Sequence, residues 1–458
     1  MRLRLAELRH VVKADLPIEF AEQDITSYSG LELFRRYFGL LDLHRRIRSA
    51  CGAVGLRSDY GCGRMAFVVI GLLLVGARRL EQLKYVRDDP LLLRLCGLKR
   101  MPTDRSVTNW LKQFTQKSLR ALISVNSELL HEQIERLGLK RLTVDVDGTV
   151  VQAGNKVSWA LRGFNPHHRK NLSYYPLVMH LAQTGQILRI KNRPGNVHDS
   201  RGADSYLREL IGELRGRFGR GMTLEFRMDS AFFQRRIFNL LEREGCLYAI
   251  KVGFWDWVHL KEKVANRRRW HRIDDTVSCF ETEVDLEPWD LSLRVVVYRK
   301  RVRHKTRKNF QLNLFTPDDG HFEYSAVSTN MSLTPSSLWA FANGRGAQEK
   351  TLAELRGEFA LDVVPTNHYG ANCAWQQLAI LAHNLTRGFQ LDTTAQQKTP
   401  TRKRTYAYVL RNIRTLRFLV IARAGRLVRS QGGKTVLRIS DNAATKQLYD
   451  EFSDALAA

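Results

Sequence analysis

The chain has 458 residues, more than one hydrophobic core usually organises, which excludes a small single module and predicts two or three structural units. Its hydrophobic fraction of 44% and charged fraction of 26% are typical of a folded globular protein and exclude a disordered or fibrous chain. The net charge of +27, from 73 Lys and Arg against 46 Asp and Glu, makes nucleic acid the leading partner, because each phosphate contact gains from counterion release.

The basic residues are clustered, which argues against a protein that is merely basic and soluble. Residues 299–308 are nearly all basic, and residues 398–429 contain many arginines and no acid. The longest apolar run, residues 66–77, is too short to span a bilayer, and the N-terminus is charged where a signal peptide needs an apolar stretch. The six cysteines form no Cys-x2-Cys pair. We therefore expect a cytoplasmic protein with buried thiols and no membrane partner.

Residues 1–138 show helical apolar spacing and form the first predicted unit, a helical DNA-binding region. Within it, residues 91–98 predict a short helix that ends near Gly97, and Thr103 or Asp104 can cap a second short helix. Two short helices joined by a tight turn are what a helix-turn-helix requires. The exposed side of the second helix would carry Arg105, Asn109 and Lys112. An ordinary helical hairpin with only a packing role is about as common, so both interpretations stay open.

The hydrophobic period changes at Leu142, where residues 142–147 alternate strictly between apolar and polar, as a strand does. Strands and helices then follow one another up to residue 252, with strands predicted at 175–181, 186–191, 223–228 and 247–252 and helices at 200–216 and 235–245. This is an α/β order in which some neighbouring strands are antiparallel hairpins. Residues 139–252 are thus predicted to form the first part of an α/β core.

The next stretch, residues 253–324, is β-rich and irregular and is predicted to be an insertion into the core. Its alternating segments are 278–284, 291–297 and 309–314. Helical spacing returns from Pro335 to residue 359 and again at 371–385, so residues 325–390 are predicted to complete the core. The last predicted unit, residues 391–458, is basic and partly helical.

Acidic side chains stand at the ends of two predicted strands. Asp145, Asp147 and Thr149 share one face of the first strand because side chains two residues apart project together. Asp229 closes a later strand, and two such strands bring their carboxylates within reach of a metal ion if they are neighbours in one sheet. Mg²⁺ prefers oxygen ligands and keeps several waters, so a few carboxylates suffice to hold it. Acids at strand ends also cap the next element or bind an arginine, and alternation does not choose between Asp145 and Asp147.

Several motifs together resemble the DDE transposases of bacterial insertion sequences, in the branch with a β-rich insertion before the final glutamate. Asp147 stands in an Asp-x-Thr strand end, and Asp229 in a strand that ends Asp-Ser. Glu349 and Arg345 fit the family's helix signature, Tyr-x2-Arg-x3-Glu-x6-Lys. The resemblance covers residues 142–390 and extends more faintly to both ends of the chain.

The signature helix departs from the family pattern at two positions. Ala342 replaces the expected Tyr, and Arg356 replaces the expected Lys but keeps its charge. Three further stretches, residues 163–168, 173–177 and 193–198, resemble the family's second strand, the approach to it and the turn after its third strand.

The resemblance implies an RNase H-like fold and a divalent-metal site that uses Mg²⁺, with Mn²⁺ as a substitute. Its metal ligands would be Asp147, Asp229 and Glu349, with Asp145 as a further candidate. DNA contacts near this site would come from Arg345, Lys350 and Arg356. The competing interpretation of the arginines is that they form salt bridges on the helix surface with Glu349 and with Glu354 or Glu358.

Some members of this family stack a flipped base on an aromatic residue of the insertion. The tryptophans in this region are Trp255, Trp257, Trp270 and Trp289, and an aromatic stack stabilises an extruded base. Packing is the commoner role, and the sequence does not choose among them. His167 and His198 are able to approach DNA or metal, but neither is ranked as a ligand.

The resemblance therefore implies a transposase that binds the terminal inverted repeats of its element and catalyses metal-dependent strand cleavage and strand transfer. Its partner would be double-stranded DNA, both transposon ends and target, and a homodimer is expected because two ends must be brought together. Such a protein would be associated with the bacterial nucleoid. Two alternatives stay open: a catalytically inactive, transposase-derived DNA-binding protein, and a nuclease of the same fold.

Overall fold

The computed structural model describes residues 3–13, 24–163, 170–302, 322–399 and 404–457, with the single positions 16, 18 and 20. Two predictions lie outside these residues, namely the strand at 309–314 and the role of His167 with most of its motif. All six cysteines are described, and they are free thiols, five of them buried. Every helix within the described ranges is too short or too polar to traverse a lipid bilayer.

The helices and strands are numbered separately along the described chain. The helices are α1 (Leu5–Lys13), α2 (Leu31–Leu40), α3 (Leu43–Ala53), α4 (Cys62–Leu74), α5 (Pro90–Cys96), α6 (Asp104–Leu111), α7 (Gln116–Arg136), α8 (Ala203–Phe218), α9 (Arg235–Arg243), α10 (Leu260–Ala265), α11 (Pro335–Asn343), α12 (Gly346–Glu358), α13 (Tyr369–Thr393), α14 (Ile413–Leu416) and α15 (Ala443–Ala455). The strands are β1 (Ile25–Thr26), β2 (Arg141–Gly148), β3 (Val151–Gln152), β4 (Ser173–Tyr174), β5 (Leu177–Leu181), β6 (Ile187–Lys191), β7 (Thr223–Met228), β8 (Leu247–Val252), β9 (His271–Arg272), β10 (Val277–Leu286), β11 (Leu291–Arg301), β12 (Phe322–Thr329), β13 (Gly425–Arg429) and β14 (Thr435–Ile439).

Nine strands of the described chain form one mixed sheet in the order β6-β5-β2-β7-β8-β12-β11-β10-β9. The central strand β2 is antiparallel to β5 and parallel to β7, and β7 is parallel to β8. Within this sheet, β2, β5 and β6 form an antiparallel meander, and the parallel strands β7 and β8 follow helices α8 and α9. This is the strand order of an RNase H-like core, so the predicted α/β fold is confirmed.

The alternation in β2 directs its side chains to two different environments. Val144 and Val146 are fully buried in the hydrophobic cluster that includes Leu207 of α8 and Phe238 of α9. The opposite face of β2, which carries the aspartates, meets α12, where the Gln348 side chain donates to the backbone carbonyl of residue 145 at 3.3 Å. The sheet is therefore covered on both faces, and its acidic residues lie on the α12 side.

The β-rich insertion extends the central sheet. β12 pairs antiparallel with β8, placing Ala326 opposite Val252, and β11, β10 and β9 continue outward from it. The predicted boundary at residue 324 falls inside β12, whose register is continuous from Phe322 to Thr329. The insertion and the second half of the core thus share a strand.

The N-terminal helices pack around the long helix α13 in a single hydrophobic cluster. Its fully buried members include Phe34, Phe67, Trp110 and Trp375, which come from α2, α4, α6 and α13. Burying such large aromatic surfaces contributes roughly 1.5 to 3 kcal/mol for each side chain. The N-terminal helices are therefore packed around α13, a helix that the sequence assigns to the second part of the predicted core.

Two short helices form where the sequence predicts them. α5 ends at Gly97, which adopts the left-handed conformation with φ of 66°, and Thr103 caps α6 by accepting from the Ser106 amide at 3.1 Å. α6 packs mainly on α4, α13 and the 3₁₀ helix Leu80–Tyr85. The helix-turn-helix role of this pair stays a prediction.

The C-terminal region contains a strand pair that the sequence does not predict. β13 and β14 form an antiparallel hairpin, and β1 pairs with β13, so the two ends of the chain form one small sheet. α15 follows and packs on α13 and α2. β1, which pairs with β13, is only two residues long, and so short a strand shows no local periodicity in the sequence.

Candidate active site

Asp147 and Asp229 stand side by side at the ends of adjacent parallel strands. The register pairs Val146 of β2 with Met228 of β7, so the next residue on each strand is an aspartate. Asp229 accepts from the Ala231 amide at 2.9 Å and caps the 3₁₀ helix Ser230–Phe232. The two side chains are 21% and 30% exposed, so each is half-sheltered and reachable from solvent. The structure thus brings these two predicted residues together.

Arg345 lies between the two carboxylates. Its Nη1 is 3.0 Å from Asp147 Oδ2, and its Nη2 is 3.9 Å from Asp229 Oδ2. The guanidinium is only 16% exposed, which strengthens its interaction with both acids. One cation therefore neutralises part of the charge of two aspartates.

A break between two helices puts Arg345 in this place. The sequence predicts one continuous helix from Pro335 to residue 359, but α11 ends at Asn343 and α12 begins at Gly346. The carbonyl of Phe341 accepts from Arg227 Nη1 at 2.9 Å, and the Arg345 amide turns to the Ala342 carbonyl at 3.3 Å. The Phe341 carbonyl also accepts from the Gly344 amide at 3.1 Å, so the backbone bonds tighten to the i to i+3 pattern at this point and the prediction of one continuous helix was wrong.

Asp145 occupies a different environment from Asp147, although both lie on the same face of β2. It is fully buried, and Arg227 binds both of its carboxylate oxygens at 2.5 and 2.8 Å. His180 Nδ1 lies 3.3 Å from Oδ2 on the other side. Burial tends to raise the pKa of Asp145, but the charge of Arg227 and the hydrogen bond with His180 hold that pKa below its ordinary value. Both oxygens of Asp145 are therefore occupied by protein partners, which the sequence-based choice of this residue as a candidate ligand did not anticipate.

The pKa of the Asp147 carboxyl group is strongly raised. Burial raises the pKa of Asp147 to about 6, and repulsion by Asp229 and Asp199 adds to the rise, while the charge of Arg345 opposes it. A carboxylate held in this way gains more from a nearby cation than an ordinary surface acid does.

Asp199 is a third carboxylate of this cluster that the sequence analysis missed. The Tyr175 hydroxyl donates to Asp199 Oδ2 at 2.9 Å, and Arg193 Nη2 lies 3.5 Å from Oδ1. A Cβ atom at Gly148 would come within 2.2 Å of Asp199 Oδ1 and 2.6 Å of the Tyr175 ring. Gly148 is therefore the residue that lets this carboxylate and this ring approach the strand end next to Asp147.

A single arginine holds the loop that carries Asp199. The Arg193 guanidinium donates to the backbone carbonyls of Tyr175, His198, Asp199 and Arg201 at 2.9 to 3.3 Å. Burial raises the pKa of Asp199, the Tyr175 hydrogen bond opposes the rise, and Asp229 adds to it. The signal in the sequence was the turn motif at 193–198, to which Asp199 is the next residue.

Three further residues of the signature helix that the sequence singles out are exposed. Glu349, in the first turn of α12, is exposed, as are Lys350 and Arg356. Within the described residues, Arg345 forms ion pairs with Asp147 and Asp229 but none with Glu349. The predicted third acid therefore lies one helical turn beyond Arg345 but outside the cluster that Arg345 organises.

The salt-bridge interpretation of the two signature arginines finds no support in the described contacts. Glu354 pairs with Arg387 at 2.5 Å, and Glu358 pairs with Arg414 and Arg417 at 2.5 and 2.6 Å. Both glutamates therefore tie α12 to α13 and to the C-terminal region.

The side chains predicted to contact DNA on α6 all face solvent. Arg105, Asn109 and Lys112 are exposed, whereas Val107 and Trp110 on the opposite side are buried. The structure thus places the three on one accessible helix surface, apart from the acidic cluster in sequence and in packing.

Three of the four tryptophans of the insertion form a cluster with Phe233, four residues after Asp229. Trp255 and Trp257 stack with ring centres 6.0 Å apart, and both are about two-fifths exposed, at 38% and 40%. Trp289 packs on Phe233 at 5.2 Å. Trp270 lies elsewhere, against Phe280 at 4.8 Å. His198 contacts Ser200, with Nδ1 2.9 Å from the hydroxyl.

The donor atoms of the cluster suit a hard divalent cation. Asp147, Asp229 and Asp199 offer only oxygen, and Asp199 Oδ1 is buried with the Arg193 guanidinium at 3.5 Å but with no hydrogen-bond donor among the described residues. Among the described residues, no group of three or more His, Cys, Asp or Glu side chains is already gathered at metal-binding distance. The residues therefore fit Mg²⁺ in chemistry, while Arg345 stands between the two aspartates.

The chain is similar to known transposases. The fold is similar to that of piggyBac transposase in its synaptic complex with hairpin DNA, at 11% identity and a TM-score of 0.46, over 94% of this chain and 80% of that one. Mos1 transposase, in its paired-end complex with the left transposon end, matches at 12% identity and a TM-score of 0.18, over 37% of this chain and 56% of that one. No curated protein matches the sequence. The profile described as transposase DDE domain group 1 matches residues 9–458, almost the whole chain, and the protein therefore belongs to this family of DDE transposases.

Proposed function

We propose that the protein is an active DNA transposase of the insertion-sequence type, which cuts the ends of its element and joins them to target DNA. The observation that carries this proposal is the pair of aspartates, Asp147 and Asp229, aligned at the ends of two parallel strands with one guanidinium between them. Two carboxylates so placed can share a divalent ion. Membership of a DDE transposase family supports the same conclusion.

Asp147 and Asp229 would hold Mg²⁺ or Mn²⁺, and Glu349 would complete the set from the first turn of α12. The ions would supply activation of the attacking oxygen and stabilisation of the leaving oxygen at the scissile phosphate. The carboxylates act as ligands, and none of them becomes a covalent nucleophile. Arg345 lies one helical turn before Glu349. When a metal ion binds Asp147 and Asp229, the Arg345 guanidinium would lose its two acidic partners and would be free to bind a phosphate of the DNA backbone.

Asp145 is left out of the proposed ligand set. Its two oxygens are bound by Arg227, and Arg227 in turn holds the Phe341 carbonyl at the break before Arg345. We assign Asp145 the role of a positioning residue for that break. Asp199 enters instead as a neighbouring carboxylate that adds negative charge to the site.

DNA contacts away from the metals are proposed for the exposed residues of α6 and of the signature helix. Arg105, Asn109 and Lys112 would read or position one DNA segment, while Lys350 and Arg356 would bind phosphate near the cut. Because two ends must be cut together, the active species would be a homodimer assembled on DNA. A flipped base would stack on Trp255 or Trp257, because both rings are exposed, whereas Trp270 and Trp289 are partly buried.

The test is a cleavage assay on linear DNA that carries the sequence flanking the gene, with Mg²⁺ or Mn²⁺. Wild-type protein should nick the ends and join them to target plasmid, while Asp147→Asn and Asp229→Asn should lose cleavage and keep DNA binding. Asp204→Asn, at an acid of α8 outside the cluster, is the matched control and should cut normally. Full activity of the Asp147→Asn variant would refute the assignment.

The same assay separates the two alternatives. Cleavage without joined products would identify a nuclease of this fold. DNA binding without cleavage by the wild type would identify an inactive, transposase-derived DNA-binding protein, and the exposed position of Glu349 is the observation that keeps this outcome in the test.

A further inference from the structure

The hairpin β13-β14, residues Gly425–Ile439, is called the C-terminal ribbon below. Its register pairs residue 427 with 437 and residue 426 with 438, so odd and even positions face opposite ways. Leu427 and Leu437, on the inner face, are partly buried and pack on the core of the N-terminal helices. The ribbon is therefore anchored by one face and presents the other to solvent.

The ribbon is also fastened at its base. The Leu427 amide donates to the Asp24 carbonyl at 2.8 Å, and β1 pairs with β13. A Cβ atom at Gly425 would lie 2.3 Å from the Ser29 hydroxyl, so glycine allows the strand to pass close to the residues before α2. The outer face thus has a fixed position relative to the helical region.

The outer face brings like charges together. Arg426 lies directly opposite Arg438, and both are exposed. Lys434, also exposed, lies in the turn directly before β14. Within the described residues no carboxylate lies within ion-pair distance of these three, and the sequence from residue 393 to residue 440 contains no acid. Like charges directly opposite on a strand pair destabilise it, so this arrangement calls for an anionic partner.

Protection of a sheet edge does not explain the pair. Basic residues on edge strands prevent edge-to-edge association, and β14 is an edge strand. Arg426, however, belongs to β13, which is the middle strand of its sheet. Arg426 therefore lies on a strand that has no free edge to protect.

We propose that the outer face of the C-terminal ribbon binds the phosphate backbone of double-stranded DNA. A two-stranded ribbon is narrow enough to follow a groove of the duplex, and the side chains of its outer face then reach the flanking phosphates. The inference rests on the proposed function for the identity of the partner, since a transposase acts on DNA. It adds a contact surface that lies outside both α6 and the signature helix.

The experiment compares Arg426→Gln/Arg438→Gln with wild type by fluorescence anisotropy, using element-end DNA and an unrelated duplex of equal length across a range of salt concentrations. Affinity should fall equally for both duplexes. The plot of the logarithm of the binding constant against the logarithm of the salt concentration should become less steep by about 2, one for each lost phosphate contact. The variant should fold, because the substitutions relieve a repulsion at exposed positions. Arg220→Gln/Arg243→Gln removes the same charge elsewhere and should leave the slope unchanged.

The outcomes distinguish the two proposals. If wild type binds both duplexes and the ribbon variant matches it in affinity and slope, the ribbon proposal is overturned while the proposed function stands. If wild type binds neither duplex, the proposed function itself fails. Loss of binding to phosphatidylglycerol vesicles without loss of binding to DNA would identify a membrane partner and overturn the ribbon proposal.

Discussion

Asp145 and Arg227 form a buried, two-pronged ion pair across adjacent strands, with N to O distances of 2.5 and 2.8 Å. Asp147, two residues further along the same face, is paired instead with Arg345 at 3.0 Å and remains reachable from solvent. Although Asp145 and Asp147 are only two residues apart on one face of β2, the first is held in a buried ion pair and the second is accessible to a metal ion.

Replacing Asp145 by Asn should lower the free energy of unfolding by about 3 kcal/mol, because a buried Arg227 then loses its counter-charge. Urea unfolding would measure this. Glu281→Gln is the control, since it breaks an exposed pair with Arg294 and should cost less than about 1 kcal/mol. A variant with normal stability but no Mn²⁺ affinity would show instead that Asp145 is a ligand.

The raised pKa of Asp147 predicts a stability that depends on pH. The folded-state pKa of about 6 exceeds the ordinary value of 3.8, so between these values the unfolded chain has released a proton that the folded protein keeps. The contribution of Asp147 to the free energy of unfolding therefore falls as the pH rises from about 4 to about 6, and it stays low at higher pH. Asp147→Asn should remove this loss and stabilise the metal-free protein at pH 7 by at most about 3 kcal/mol.

Unfolding of both proteins at pH 4.5 and pH 7 tests this sign. The difference between variant and wild type should be larger at pH 7 than at pH 4.5, with both measured in the presence of a chelator. An equal difference at the two pH values would contradict a raised pKa at Asp147. Mn²⁺ binding by the wild type should in turn weaken below pH 6, since a proton then competes for the carboxylate.

Gly148→Ala should disturb the junction between Asp199, Tyr175 and the strand end, because the new methyl group would lie within 2.2 Å of Asp199 Oδ1. We expect a loss of roughly 1 to 3 kcal/mol in unfolding free energy, typical of an overpacked site. Gly154→Ala is a matched control, since a Cβ there meets nothing within 4 Å. Equal stability of the two variants would show that Tyr175 and Asp199 move aside freely.

Asp199→Asn should weaken Mn²⁺ binding without abolishing it. Removing one negative charge beside Asp147 and Asp229 is worth roughly 1 to 2 kcal/mol, or about 5- to 30-fold in affinity. Isothermal titration calorimetry measures the change, with Asp204→Asn as the control that should bind as wild type does. Unchanged affinity in Asp199→Asn would place this carboxylate outside the electrostatic influence of the site.

Local sequence patterns determined much of this protein. Alternation predicted β2 and the strands that follow it, the Thr103 cap and Gly97 predicted the bounds of α5 and α6, and the motif spacing picked out Asp147 and Asp229. These features depend on residues near one another in the chain, such as a capping hydroxyl three positions from its amide. The match over residues 9–458 confirms the resemblance to DDE transposases, while the insertion-sequence branch inferred from the same motifs stays a prediction.

Tertiary structure alone decided which aspartate faces solvent and what surrounds it. Asp145 and Asp147 share a face, and only the strand register sets His180 and Arg227 on either side of Asp145. The break before α12 depends on a bond from Arg227 to Phe341, 114 positions away. The Tyr175 hydroxyl, 24 positions away in sequence, holds Asp199 beside the strand end, and β1, at Ile25–Thr26, anchors the C-terminal ribbon near the helical region. These contacts join residues that are far apart in sequence, so no local period or cap records them.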